Sequence, residues 1–327
     1  MSTPALRQPD TMRSIVYALG ANLAIFAVKL VGALFTGSGA LLAESLHSFA
    51  DTANQGLLLL GRKQARKRPD AHHPLGHGRA TYFWAFVVAL LLFTLGGIVS
   101  IVEGVHKLHE PEPVQWPWVA ISIVVFAIFA ESISLRMALK QIGKVRRNRS
   151  LWQWFRETRR SELLVVLGED VAAIAGLSLA LVALLVTIVT DDPLYDAVGS
   201  IAIGVLLMVV AFRLAVEIKS LLIGESAHPN IEAAIREAVA AQKDVVAIRR
   251  LVTLQHGEDV LVAVQAQMRP CATTTELVQS IARSKKALQA QFPQAKWVFF
   301  EPVGAHEEGK LRASPDKPSR KARSRVS

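Results

Sequence analysis

Between residues 14 and 215 the chain is built of apolar blocks longer than the roughly 18 residues needed to span the hydrocarbon of a bilayer. No soluble core of this size needs such runs, so a purely soluble globular protein and a disordered chain are both excluded. Hydrophobic residues make up 51% of the 327 and charged residues only 20%, whereas soluble domains carry about 25% charged residues. The single cysteine, Cys271, excludes an internal disulfide framework and a Cys-based zinc cluster. Residues 1–13 are polar, and the first apolar run is too long for a signal-peptide core and lacks a small-residue cleavage site.

Six spanning helices are expected, near Ser14–Phe35, Ala40–Leu60, Thr81–Val105, Trp116–Leu139, Leu163–Val189 and Leu194–Leu214. Basic residues cluster after the second, at Arg62, Lys63, Arg66, Lys67, Arg68 and Arg79. A second cluster follows the fourth, from Lys140, Lys144, Arg146, Arg147 and Arg149 to Arg156, Arg159 and Arg160. The alternate loops hold acids instead, Glu110 and Glu112 in one and Asp191 and Asp192 in the other. This bias places both basic loops and both termini in the cytoplasm, and a bacterial inner membrane is the expected setting. The net charge of +10 is thus read as membrane topology, and no nucleic-acid partner is expected.

Residues 216–303 change character. Pro229–Gln242 has helical periodicity, Ile248–Gln255 and Val260–Met268 read as strands about a His256-Gly257-Glu258-Asp259 turn, Thr274–Gln291 as an amphipathic helix with a Thr cap, and Lys296–Phe300 as a strand. The order α-β-β-α-β suits a ferredoxin-like α+β domain. The expected organisation is therefore an all-α six-helix transmembrane transport domain (12–215), a cytoplasmic ferredoxin-like domain (216–303) and a basic disordered tail (304–327).

Chemistry concentrates where hydrocarbon tolerates it least. In the second helix His47 and Asp51 lie four apart, hence on one face. A carboxylate at mid-bilayer costs about 2.5–3.5 kcal/mol on insertion scales, so such groups face the bundle interior or a partner. Imidazole nitrogen with carboxylate oxygen suits zinc and related divalent ions, and a second helix must complete the coordination. The fifth helix offers Glu169 and Asp170, beside Gly168, which permits close helix approach. Adjacent positions point about 100° apart, so Asp170 is read as the main ligand and Glu169 as an auxiliary ligand or proton carrier. The bland alternative is a His–Asp helix clamp, but several buried carboxylates repel one another unless a cation or protons intervene. Glu44 lies about one turn before His47 and can share the cavity, while Glu103 and Glu131 stand between structural and functional readings. The loop Pro69-Asp70-Ala71-His72-His73-Pro74-Leu75-Gly76-His77-Gly78-Arg79 is dense enough in His and Asp to bind metal, or simply solvated.

His47-x-x-x-Asp51 followed by Asn54-Gln55, the 69–79 loop leading into Tyr82-Phe83-Trp84, Ser100-x-x-Glu103-Gly104 and the Gly224-Glu225-Ser226 junction together resemble the cation diffusion facilitators, a family of zinc transporters. The resemblance covers about residues 12–303. It implies a transport site at His47, Asp51 and Asp170, a second metal site at Asp70, His73 and His77, and a homodimer. The family's usual fifth-helix pattern places a ligand four residues before the Asp, where this chain has Val166. The Glu169-Asp170 pair resembles a divergent branch, in which Glu169 replaces that ligand. Some relatives end a two-zinc cytoplasmic site in His-x-Asp-Pro. The corresponding Phe299-Phe300-Glu301-Pro302 lacks the His, so this domain is expected to be a dimerisation platform with weak or no metal binding.

The expected function is export of a divalent cation, zinc first, by proton antiport through alternating access, with no cofactor beyond the transported ion. Metal binding requires deprotonated ligands, so metal and protons compete. Mn or Fe in place of Zn stays open because loss of the helix-five ligand enriches the site in oxygen. A non-transporting membrane sensor or scaffold is the alternative. An intramembrane zinc protease is disfavoured because no His-Glu-x-x-His occurs.

Overall fold

The computed structural model describes residues 11–111, 113–146, 150–158 and 161–304. The tail expected beyond residue 304, and Glu112, Arg147, Arg149, Arg159 and Arg160, lie outside these. The chain forms two compact units that divide between Glu225 and Ser226.

The first unit is helical: α1 (Thr11–Thr36), α2 (Gly39–Ala65), α3 (Ala80–Leu91), α4 (Val99–His109), α5 (Pro117–Arg146), α6 (Leu151–Glu157), α7 (Ser161–Thr190) and α8 (Leu194–Ile223). A π-helical stretch, Leu92–Ile98, joins α3 to α4 without a break. Among the described residues, four helical segments are long and apolar enough to cross a membrane: Ala80–His109, Pro117–Gly143, Leu163–Thr190 and Leu194–Ile223. The first two expected spans do not meet that measure. In α1 the apolar stretch is Leu23–Thr36. In α2 the polar series Glu44, Ser45, His47, Ser48, Asp51, Thr52, Asn54 and Gln55 lowers the hydropathy.

The pattern of burial is inverted relative to a soluble protein. Phe126 and Phe129 of α5, Val182 and Val189 of α7 and Phe212 of α8 are exposed, whereas Glu44, His47 and Asn54 of α2 are fully buried. Apolar side chains meet hydrocarbon at no cost, and polar ones gain by facing inward. Leu41, Tyr82, Val88, Leu177, Ile203 and Leu207 pack the interior. α2 lies within the bundle, against α1, α3, α7 and α8.

Two devices lock it there. Asp196 of α8 is buried and serves the N-terminus of α2: its Oδ1 accepts Ser38 Oγ at 2.7 Å and Ala40 N at 3.3 Å, and its Oδ2 accepts Gly39 N at 2.6 Å. A helix leaves its first N–H groups without partners and carries partial positive charge there, which a carboxylate satisfies. Lys107 of α4 approaches Asp196 Oδ2 at 3.5 Å and also donates to the Gly37 carbonyl. Second, α8 packs on α4 and the π-stretch through glycines. A Cβ at Gly204 would stand 2.7 Å from Ile101 Cγ1 and 2.8 Å from the Gly97 carbonyl.

In the second unit, α9 (Pro229–Ala240), β1 (Val245–His256), β2 (Asp259–Met268), α10 (Thr274–Gln291) and β3 (Trp297–Val303) follow in order. This is the ferredoxin-like β-α-β-β-α-β series without its first strand. β1 and β2 form an antiparallel hairpin closing at His256 and Asp259, and β3 adds parallel to β2 after the α10 crossover, giving the order β1-β2-β3. Val260, Val262, Val264 and Ala266 alternate inward along β2, meeting Ile235 and Val239 of α9 and Leu288 of α10 in one core. The Thr273 hydroxyl caps α10 by accepting Glu276 N at 3.2 Å.

Gly204→Ala forces a methyl into backbone on α4 and the π-stretch. Overpacking of this kind costs about 1–3 kcal/mol. The expected outcome is a lowered thermal midpoint of the detergent-purified chain, with helix content retained below it.

Candidate metal centre

α2 and α7 carry the buried polar groups of the first unit and meet through Asn54 and Glu169. On α2 the stripe Glu44, His47, Ser48, Asp51, Asn54 and Gln55 follows the i, i+3, i+4 spacing of one helix face. His47 Nε2 lies 3.5 Å from Asp51 Oδ2. From α7, Glu169 Oε1 accepts Asn54 Nδ2 at 2.7 Å. Asp170 turns towards α5, where its Oδ1 accepts Ser134 Oγ at 3.1 Å. The two adjacent acids thus diverge, as the helical angle requires, and Glu169 is the one hydrogen-bonded to α2.

The expected ligands are buried: His47 wholly, Asp51, Glu169 and Asp170 to better than nine-tenths. Among the described residues, His47 Nδ1 and Nε2, Asp51 Oδ1 and Asp170 Oδ2 are buried without a hydrogen-bond partner. Orphaned polar atoms in an interior are costly and rare. All four, on three side chains, are nitrogen or oxygen atoms of the kind a divalent cation takes, but the structure does not gather them: His47, Asp51, Glu169 and Asp170 do not bring three ligand atoms within 4.8 Å of one another, and Asp170, read from the sequence as the main α7 ligand, faces α5.

Four further residues adjoin these groups. Glu131 of α5 faces the cluster and bears electrostatically on Asp51, Glu169 and Asp170; the sequence had left it between structure and function. Asn54 and Ser134 each neutralise one oxygen of the α7 acids. Lys29 of α1, only 1% exposed, pairs with Glu44 Oε2 at 3.3 Å and donates to Ser48 Oγ at 2.8 Å. From sequence Lys29 was merely an interruption of an apolar run. Its signal, a lone cation opposite an excess of buried acids, is visible only once the acids are counted. Four buried carboxylates (Glu44, Asp51, Glu169 and Asp170), with half-buried Glu131 near them, thus stand against the one ammonium of Lys29. Like charges repel there, so the acids of α7 lean on separate neutral donors.

The loop after α2 is already gathered. Asp70, His73 and His77 place one ligand atom each within 4.8 Å of one another, the one such trio of His, Cys, Asp or Glu among the described residues. Asp70 Oδ1 accepts the backbone N–H of His72 at 2.9 Å and of His73 at 2.7 Å. His73 Nδ1 lies 3.3 Å from Oδ1, His77 Nε2 3.6 Å from Oδ2, and the two ring centroids lie 4.2 Å apart with the planes tilted by 36°. The His73 N–H, foremost among these contacts, holds the Asp70 carboxyl below its ordinary value. In the second unit His256 meets Trp297 edge-on with ring centroids 5.4 Å apart, and Phe299, Phe300 and Glu301 stand in β3, where the sequence lacks the family's His.

Residues 15–223 match the family model for the cation efflux transmembrane domain. The mitochondrial proton-coupled zinc antiporter SLC30A9 of Xenopus laevis is 32% identical over 250 residues, 76% of this chain and 45% of the relative. Metal tolerance protein C4 of Arabidopsis thaliana is 32% identical over 224 residues, 68% of this chain and 49% of the relative. Zinc transporter ZitB of Escherichia coli K12 is 29% identical over 209 residues, 64% of this chain and 62% of the relative. The chain therefore belongs to the cation diffusion facilitator family, a family of transporters and not of enzymes. It spans about half the length of the first two of these relatives.

A carboxylate whose folded value is depressed contributes stability above its unfolded value and loses it as pH falls through the folded one. The Asp70 turn is therefore expected to persist through the ordinary Asp value of 3.8 and to open only below it. The amide resonances of His72 and His73 in histidine-labelled protein report this directly, and opening well above that pH would contradict it.

Proposed function

We propose that this chain exports a divalent cation, zinc foremost, from the cytoplasm in exchange for protons. The observation that supports the reading is that His47 and Asp51 of α2 and Asp170 of α7 each carry buried ligand atoms without a hydrogen-bond partner among the described residues. A buried excess of acids is tolerated when a cation or protons occupy it in turn, and that alternation is antiport. Metal binds the deprotonated ligands, and protons entering from the other face displace it.

In this reading α1 to α8, without the short α6, make six spans, with the basic loops and both termini on the cytoplasmic face and a homodimer as the working form. Asp51 is the essential acid, His47 tunes selectivity and proton release, and Asp170 and Glu169 complete the coordination. Asp70, His73 and His77 hold a second ion beside the cytoplasmic end of α2. Relatives named as zinc transporters and proton-coupled zinc antiporters support the choice of ion and of coupling. The presence of Val166 one turn before Asp170 leaves the donor set rich in oxygen, which extends the range toward Mn and Fe.

Reconstituted in liposomes under a proton gradient, the wild type carries zinc and moves protons the other way. Asp51→Ala abolishes both; zinc flux at the wild-type rate would remove Asp51 from the site. Val166→His adds a nitrogen ligand and shifts preference toward zinc in a panel of Zn, Mn and Fe. An unchanged preference would show that position 166 does not reach the ion.

A further inference from the structure

Glu44 is the outlier in the interior just described. It lies on the same face of α2 as His47 and Asp51, three residues before His47, or about 4.5 Å along the helix axis. It is fully buried. Its Oε1 has no hydrogen-bond partner among the described residues and presses on Gly176 of α7, where any side chain would overlap it. Glu44 therefore stands between the same two helices as the candidate ligands, displaced towards the N-terminal end of α2. That end is the one remote from the basic loop, hence on the exit side of the site under the proposed orientation.

What Glu44 holds is an ammonium. Lys29 Nζ sits 3.3 Å from Glu44 Oε2 and 2.8 Å from Ser48 Oγ, and Lys29 and Glu44 are at most 1% exposed. A carboxylate and a hydroxyl from successive turns of one helix, with one carboxylate oxygen still unpaired, form a cation subsite. We propose that Glu44 and Ser48 are an exit-side cation subsite next to His47, and that the Lys29 ammonium occupies it as a tethered competitor of the transported ion. Lys29 so sets how long a divalent ion dwells there: it withdraws Glu44 from the ligand set and keeps the ion from being trapped by one acid more. Lys29 acts through Glu44 and is a positioning residue. The inference rests on the transport reading above.

The test is zinc flux by the full chain in liposomes, resolved into KM and kcat, for four variants. Lys29→Met frees Glu44 to hold zinc, so KM falls, by roughly tenfold if the ammonium is worth what outer partners of metal ligands usually are, and kcat falls with it. Glu44→Gln leaves an unopposed ammonium beside His47, and KM rises. Lys29→Arg keeps the cation and the wild-type KM, and Lys29→Met combined with Glu44→Gln returns KM towards wild type. KM shifts of opposite sign in the two single variants support the subsite; no shift, or shifts of the same sign, overturn it in favour of a helix clamp. If Lys29→Met does not yield folded protein, Lys29→Gln takes its place in the same comparison: a lowered KM supports the proposal and an unchanged or raised one overturns it. Absence of zinc flux in the wild type would sink the transport reading instead.

Discussion

An excess of carboxylates enclosed by apolar helices is the constraint on which the rest of this molecule depends. Asp51, Glu169, Asp170 and Glu44 are buried where water is scarce, and the one ion pair among them in the described residues is Glu44 with Lys29. Ionised acids in such surroundings demand a counter-charge or protons. Everything near them answers that demand in part: Asn54 donates to Glu169, Ser134 to Asp170, and Lys29 and Ser48 engage one another beside Glu44. What is left over, on His47, Asp51 and Asp170, is a set of unsatisfied donor atoms of the kind a divalent ion satisfies.

The outer surface solves the opposite problem. Phe126, Phe129, Val189 and Phe212 face outward without partners, which is stable only against lipid. Between the two regimes, glycine contacts of α8 with the π-stretch and α4 bring backbones close enough for dispersion to hold the helices, since burial from water offers little inside a bilayer. The polar series of α2 is affordable because α1, α3, α7 and α8 surround it.

Much of this was legible in the amino-acid order. Hydropathy marks α3 with α4, α5, α7 and α8 because lipid-facing helices are apolar nearly all round. The i, i+4 spacing of His47 and Asp51 marks one face of α2, and Thr273 announces the start of α10. Other parts were hidden for identifiable reasons. The partner of Glu44 is Lys29, fifteen positions away on another helix, and no local pattern encodes a contact between helices. Asp196 stands just beyond the acidic pair Asp191 and Asp192 and nothing local marks its role, yet it caps α2 from far along the chain. The end of α8 was expected near Leu214 because charges at Arg213 and Glu217 break the apolar run; the helix continues to Ile223, since a helix leaving the hydrocarbon need not stop there. The π-stretch and the short α6 have no marker in hydrophobic periodicity.

The Asp196 cap gives α2 one fixed end. Asp51 lies roughly 18 Å along the axis from that anchor, at 1.5 Å per residue, while the opposite end of α2 runs into a loop. A rod held most firmly at one extremity would move least there. A tilt of about 10° would scarcely disturb Gly39, yet it would carry Asp51 sideways by roughly 3 Å, comparable to a ligand–metal bond plus its slack. In any such tilt the far-off carboxylate would be the fulcrum, and the contacts that had to give would be those of Asn54 with Glu169 and of Gln64 with Trp84.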